Sequence, residues 1–85
     1  MFAVVWHPLA EVALIRLWLR AANPVELADA ADAVNRLLRQ SPFDRGESRG
    51  IPSQRIWFHP PLCVLFQIDT TARVVYVEAI KWIGE

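Results

Sequence analysis

The chain has 85 residues, 54% of them hydrophobic, and its nine basic residues balance its nine acidic ones. A net charge of zero excludes recognition of nucleic acid by overall charge, so such binding would need a local basic patch. A chain of this length forms one domain, residues 1–85, with little interior for so much apolar surface. We therefore expect part of that surface to face another protein.

The first predicted elements are a strand and two helices. Phe2–Trp6 is a short apolar run rich in strand-forming residues. The helix that follows, from Pro8 to about Ala22, is apolar on nearly every side, which predicts burial on more than one side. A second helix, capped by Asn23, runs to about Gln40. Its predicted core stripe consists of Leu27, Ala31, Val34 and Leu38.

Three strand-like runs close the chain after a linker-like stretch over residues 41–53. They are Gln54–His59, Leu62–Ile68 and Arg73–Ile83. The breaks between them are so short that only hairpins fit, which predicts an antiparallel meander. The order β-α-α-β-β-β therefore predicts an α+β fold. In it a helical hairpin packs on one face of a mainly antiparallel four-stranded sheet.

The chain has one basic cluster, three arginines within eleven positions, which are Arg45, Arg49 and Arg55. Arginine binds phosphate through paired N–H groups, so this cluster predicts a nucleic-acid contact. Asp44 and Glu47 lie among the three, and pairing within a solvated loop is an equal alternative. Arg55 is the stronger candidate because a strand holds its side chain in place.

The two histidines and the single cysteine give few signs of further chemistry. His59, at a hairpin corner, is a candidate general acid or base, although a turn histidine is the commoner case. Neither it nor His7 has Cys or Asp at metal-ligand spacing, so we expect no metal and no cofactor. Cys63 has no disulfide partner, which favours the reducing cytoplasm. The sequence predicts neither a leader peptide nor a membrane-spanning segment.

The first helix carries the predicted contact with another protein. One helix cannot turn apolar residues from all its sides toward one sheet. We expect Leu14, Trp18 and Ala21 to lie at this contact. Without another partner, a symmetric homodimer is the commonest closed assembly.

Four segments together resemble the RelE/ParE superfamily of type II toxin–antitoxin toxins, which includes plasmid stabilization proteins. Val4–Leu14 (VVWHPLAEVAL) is similar to the family's strand, proline and alanine-containing helix start. Leu37–Gly46 (LLRQSPFDRG) is similar to its helix end and following loop. An arginine-led hairpin from Arg55 and a last strand ending near Lys81 complete the order. The resemblance lies in the order, spacing and length of these segments.

The resemblance implies a microbial-ribonuclease-like α+β fold and a cognate antitoxin that wraps the toxin surface. It leaves two activities open. One is ParE-like inhibition of growth through DNA gyrase. The other is RelE-like, ribosome-dependent cleavage of mRNA, which would make the protein an endoribonuclease. For that alternative the predicted catalytic residues are Arg55, His59 and Lys81, with Lys81 converging on the surface that holds Arg55.

Two departures from the family pattern bear on the choice of activity. Many members have an aromatic–arginine pair where this sequence has Leu62-Cys63. The mRNA-cleaving members often use a C-terminal tyrosine, whereas Tyr76, the only tyrosine here, lies in a predicted strand. The gyrase-poisoning members lack the nuclease residue set, so its absence here favours the ParE-like activity. Zero net charge and Cys63 in place of the usual arginine support a third hypothesis, a non-toxic interaction module that kept the fold.

Overall fold

The computed structural model describes residues 1–48, 50–51 and 53–84, in which two helices pack on a five-stranded sheet. The helices are α1 (Pro8–Arg20) and α2 (Pro24–Gln40). The strands are β1 (Ala3–Trp6), β2 (Glu47–Ser48), β3 (Gln54–His59), β4 (Leu62–Asp69) and β5 (Val74–Trp82). One turn of 3-10 helix, Pro42–Asp44, follows α2.

Both helices begin with a side-chain cap followed by proline. The His7 ring accepts a hydrogen bond from the Leu9 N–H at 3.1 Å, and the Asn23 side chain accepts one from the Glu26 N–H at 3.2 Å. These caps satisfy N–H groups that have no partner within a helix. α1 ends at Arg20, earlier than predicted, because Ala21 already has extended backbone that turns the chain toward α2.

The sheet has the order β1-β5-β4-β3-β2. Three of its pairings are antiparallel, and β1 lies parallel to β5. The predicted hairpin meander is confirmed, and β4 lies at its centre. The predicted strand count of four is wrong by one, because β2 pairs Glu47 with Ile56 and Ser48 with Arg55 inside the linker-like stretch. Two residues are too few to carry a strand periodicity.

The core lies between the sheet and α2. It includes Leu27, Val34 and Leu38 from α2, and Leu62, Val64, Phe66, Ile68, Val75 and Val77 from the two inner strands. α1 contributes one fully buried residue, Ala10. The expectation that α1 is buried on more than one side is therefore wrong. Within the described residues, no helix has the length and apolar character needed to cross a lipid bilayer.

Candidate functional site

The strand register separates the predicted catalytic residues onto two faces of the sheet. In β3, Arg55 lies opposite Phe66 and His59 lies opposite Leu62. Phe66 and Leu62 are core residues, so these two side chains belong to the face that packs on the helices. Lys81 lies opposite Cys63, which belongs to the other face, and we name that face the open face.

A β-bulge is the reason for this separation. Leu65 pairs with Ala79, and the next residue of β4, Phe66, pairs with Val77, so Glu78 is an extra residue in β5. Uninterrupted alternation would put Lys81 on the face of Val77 and therefore of Arg55. The extra residue reverses the alternation. The expected convergence of Lys81 with Arg55 is therefore wrong.

Arg55 is engaged by the loop that precedes β2. Its Nε donates to the Arg45 carbonyl at 2.7 Å, and its Nη2 donates to the Gly46 carbonyl at 2.8 Å. Gly46 has a φ of 67°, and a Cβ there would collide with the backbone of Ile56. Arg55 and Gly46 together hold the loop against β3, so two of the guanidinium's nitrogens serve the fold.

Arg45, another member of the basic cluster, has different partners from Arg55. Arg45 lies 6.0 Å from the Trp57 ring centre and donates from Nη2 to Ser41 Oγ at 3.3 Å. Its Nε is buried and has no hydrogen-bond partner among the described residues. The Trp57 and His59 rings have centroids 4.8 Å apart. The Arg45 guanidinium, the Trp57 indole and the His59 imidazole therefore lie in a row. Arg49 lies outside the described residues. The nucleic-acid and catalytic roles of these residues stay predictions.

His59 also lines a groove between α2 and the β3–β4 turn. This groove has a volume of about 490 Å³, and its charged residues, Glu26 and Asp29, are both acidic. The carboxylates on α2 disfavour an approaching phosphate. Across the described part of the chain, no group of three or more His, Cys, Asp or Glu side chains is placed to hold a metal ion.

The open face carries exposed apolar side chains and few cations. Phe58 on β3 is 63% exposed there, and Tyr76 on β5 and Val5 on β1 are exposed on the same face. Gln54 donates a hydrogen bond to Glu78 at 3.4 Å. Among the described residues of the strands, this face has a single basic side chain, Lys81, so it lacks the clustered positive charge of a phosphate-binding surface.

α1 exposes the largest set of apolar side chains on any one element of the described chain. We name this set the α1 outer face: Leu9, Val12, Ile15, Trp18 and Leu19. Leu19 is 78% exposed, Leu9 71% and Ile15 58%. Soluble proteins rarely leave such a group without a partner. The outer face is therefore the strongest candidate for protein–protein contact.

The predicted contact residues of α1 are only partly correct. Trp18 is exposed, as expected, but Leu14 and Ala21 pack against the core. Ile15 and Leu19 are exposed but were not predicted as contact residues. The sequence of α1 offers no signal that singles them out, because the helix is apolar on nearly every side. A homodimer through α1 stays a prediction.

A groove separates α1 from the end of β5, and we name it the α1–β5 groove. Its apolar lining is Leu9, Val12, Ala13, Leu17, Ile80 and Trp82, with Arg16 and Lys81 as its charged residues. It has a volume of about 450 Å³. A second hollow of about 310 Å³ shares Leu17 and Trp82 with it and adds Arg20. The two form one continuous surface along α1.

No protein-family model and no curated protein matches the chain. Six chains of solved structures match it. One is in the toxin–antitoxin complex RelBE2 from Mycobacterium tuberculosis, with 17% identity, coverage of 95% of this chain and 90% of that chain, and a TM-score of 0.75. Another is in the chromosomal ParDE toxin–antitoxin system from P. aeruginosa, with 16% identity, coverage of 99% and 98%, and a TM-score of 0.63. The RelE/ParE-like fold implied by the sequence resemblance is confirmed.

Proposed function

We propose that this chain is the toxin of a type II toxin–antitoxin pair, and that it inhibits growth in the ParE-like manner rather than by cleaving mRNA. The observation that carries the proposal is the α1 outer face, an uncovered apolar surface on a fold shared with chains of two toxin–antitoxin complexes. A cognate antitoxin that covers this surface gives its apolar residues a function.

The positions of the cations support the ParE-like side of the proposal. A nuclease that acts without a metal needs cations and an acid or base in one cleft, around one phosphate. Here Lys81 lies on the open face and His59 on the helix face. Arg55 donates to two backbone carbonyls, so only part of its guanidinium is left for a phosphate.

Growth on induced expression is the direct test. We expect arrest when the chain is expressed alone in a bacterial host, and relief when the product of the reading frame adjacent to its own is expressed with it. With purified protein, we expect inhibition of DNA supercoiling by gyrase. Normal growth together with no binding between the two purified products would overturn the proposal and favour a non-toxic interaction module.

A second candidate is a RelE-like mRNA endoribonuclease, and the row of Arg45, Trp57 and His59 favours it. Primer extension on translated messages separates it from the first. Message cleavage that is lost in His59→Ala and Arg45→Ala, but kept in Arg36→Ala, would establish the nuclease. Arg36 is the matched control because it is an exposed arginine on α2.

A further inference from the structure

The α1 outer face forms a ridge on the surface of the molecule. Ala10 is buried and Leu17 packs against the core, so these two residues mark the inner side of the helix. Val12, Ile15 and Leu19 lie on the opposite side, three and four residues apart, and form the outermost line of the ridge. Ile15 and Leu19 do not line the grooves beside α1. The ridge is therefore apolar where it projects furthest.

Basic residues flank this ridge on the side of the α1–β5 groove. Arg16 and Arg20 are exposed and one helical turn apart, so they lie on the same side of α1. Lys81 lines the groove together with Arg16, and Arg20 lines the adjoining hollow. The single acidic residue of α1 is Glu11. Apolar side chains and a surplus of positive charge thus share one face of the molecule.

Trp18 lies on the other flank of the ridge and is 47% exposed. An indole combines apolar rings with one N–H donor, and tryptophan is enriched where lipid headgroups meet acyl chains. Arginine behaves in a related way, because its apolar stem lies along an apolar layer while its charged end stays in the polar one. An apolar helix face with tryptophan at its edge and arginines beside it is typical of a helix that lies in a bilayer surface.

Charge is divided unevenly over this chain of zero net charge. The α1–β5 groove and its adjoining hollow have only cations among their charged lining residues, whereas the groove beside α2 has Glu26 and Asp29. The basic and acidic grooves have no lining residue in common. An anionic surface therefore attracts the α1 side and repels the α2 side, which turns the apolar ridge toward that surface.

Two other occupants fit these features less well. A symmetric dimer brings the same surface of two copies together, so a dimer through this face would place two surpluses of positive charge side by side. Like charges across an interface oppose association. A protein partner must provide a groove that matches the ridge, whereas a lipid layer accommodates projecting apolar side chains without a preformed groove.

We propose that the α1 outer face binds the surface of an anionic phospholipid bilayer. In this arrangement α1 lies in the plane of the headgroups, with Ile15 and Leu19 inserted below them and the side chains of Arg16, Arg20 and Lys81 on the lipid phosphates. The inference goes beyond the proposed function, because neither growth inhibition nor an antitoxin requires it. It concerns the chain with no antitoxin bound.

Vesicle flotation tests the lipid assignment with the full chain. One set of vesicles contains phosphatidylcholine alone, and the other contains phosphatidylcholine mixed with the anionic lipid phosphatidylglycerol. We expect the chain to float with the mixed vesicles, to stay behind with the neutral ones, and to be released by added salt. Equal binding to both sets would overturn the anionic assignment. Binding to neither set would overturn the proposal and leave the face to a protein partner.

Removal of the apolar ridge tests whether α1 makes the contact. Ile15→Gln combined with Leu19→Gln keeps the charge of the chain and should weaken binding to the mixed vesicles about tenfold or more. Val25→Gln is the matched control, because Val25 is an exposed apolar residue on α2. It should bind like the wild type. Unchanged binding of the double variant, with its circular dichroism spectrum intact, would exclude the α1 outer face.

Neutralised arginines test the charges beside the ridge. Arg16→Gln combined with Arg20→Gln should weaken binding to the mixed vesicles roughly thirtyfold. Arg36→Gln combined with Arg39→Gln is the matched control, because both residues are exposed on α2 and Arg39, like Arg20, lies in a last helical turn. An equal loss in the two double variants would mean that the vesicles respond to net charge, and the α1 face would be excluded.

Tryptophan fluorescence reports the depth of α1. In mixed vesicles whose acyl chains carry bromine, a quencher of indole fluorescence, we expect strong quenching of the wild type and clearly weaker quenching of Trp18→Phe. Equal quenching of the two would place a different tryptophan in the lipid and overturn the proposed orientation. Light scattering without lipid should show a monomer. A wild-type dimer that Ile15→Gln, Leu19→Gln converts to a monomer would assign the face to a second copy instead.

Discussion

The two helices begin alike and then relate to the core in different ways. Each starts with proline after a side-chain cap. α2 alternates apolar and charged residues at helical spacing and buries five side chains, which are Leu27, Ala30, Ala31, Val34 and Leu38. α1 is more apolar, yet it buries only Ala10 and exposes five large apolar side chains. Burial follows from the segregation of apolar residues onto one face, and total hydrophobicity does not produce it.

The difference between the two helices explains why α1 has an exposed apolar face. A helix that lies on a sheet contacts it through one side only, so an all-round apolar helix at the surface has apolar residues left over. In α2 the opposite side carries charged residues, including Asp29, Asp32 and Arg36, and needs no partner. The surplus on α1 destabilises nothing inside the fold, and it is available for association.

Leucine-to-alanine substitutions in the two helices should show the largest contrast. Leu27→Ala in α2 removes a side chain that is 0% exposed and should lower the free energy of unfolding by about 3 kcal/mol. Leu19→Ala in α1 removes one that is 78% exposed and should change it by about 0.5 kcal/mol or less. Urea denaturation measures both. Similar losses for the two variants would mean that α1 is covered in solution.

A hydrogen bond between α2 and β1 should give the next largest effect. Trp6 Nε1 donates to Asn35 Oδ1 at 2.7 Å. Asn35→Ala leaves the partly buried indole N–H without its acceptor, which should cost about 1–2 kcal/mol in urea denaturation. Asn35→Asp keeps an acceptor oxygen and should lose less. If the alanine and aspartate variants were equally stable, the hydrogen bond would make no net contribution to the free energy of unfolding.

The N-cap of α2 provides a smaller test, which measures how much this helix end contributes to the stability of the fold. Asn23→Ala removes the side chain that accepts the Glu26 N–H, and it should lower the free energy of unfolding by about 1 kcal/mol. Asn23→Ser keeps a capping oxygen and should restore most of the loss. Thermal unfolding followed by circular dichroism detects both changes, and equal midpoints for alanine and serine would contradict the capping role.

Charged substitutions on the α1 outer face should have the smallest effect on stability. Ile15→Glu combined with Leu19→Glu should keep the circular dichroism spectrum and lower the fluorescence of a bound apolar dye such as ANS. Val25→Glu is the control, because Val25 is an exposed apolar residue on α2. It should leave the fluorescence nearly unchanged. Undiminished fluorescence in the double variant would place the dye on the open face, around Phe58.

Local patterns in the sequence predicted much of this fold. Asn23, Pro24 and the apolar spacing of α2 define a helix whose bounds the structure confirms. Short hairpin breaks define the β3–β4–β5 meander, and strict alternation in β3 places Arg55, Trp57 and His59 on one face. Short-range rules suffice here because each depends on neighbours within one turn or one hairpin.

The tertiary structure decided the composition of the candidate sites. It chose the side of α1 that meets the sheet, placing Leu14 and Ala21 against the core and leaving Ile15 and Leu19 outside. An all-round apolar helix carries no preference of its own, so packing against β5 makes that choice. The extra residue Glu78 moved Lys81 to the face opposite Arg55. A bulge is set by pairing between two strands, and the sequence of either strand alone does not contain it.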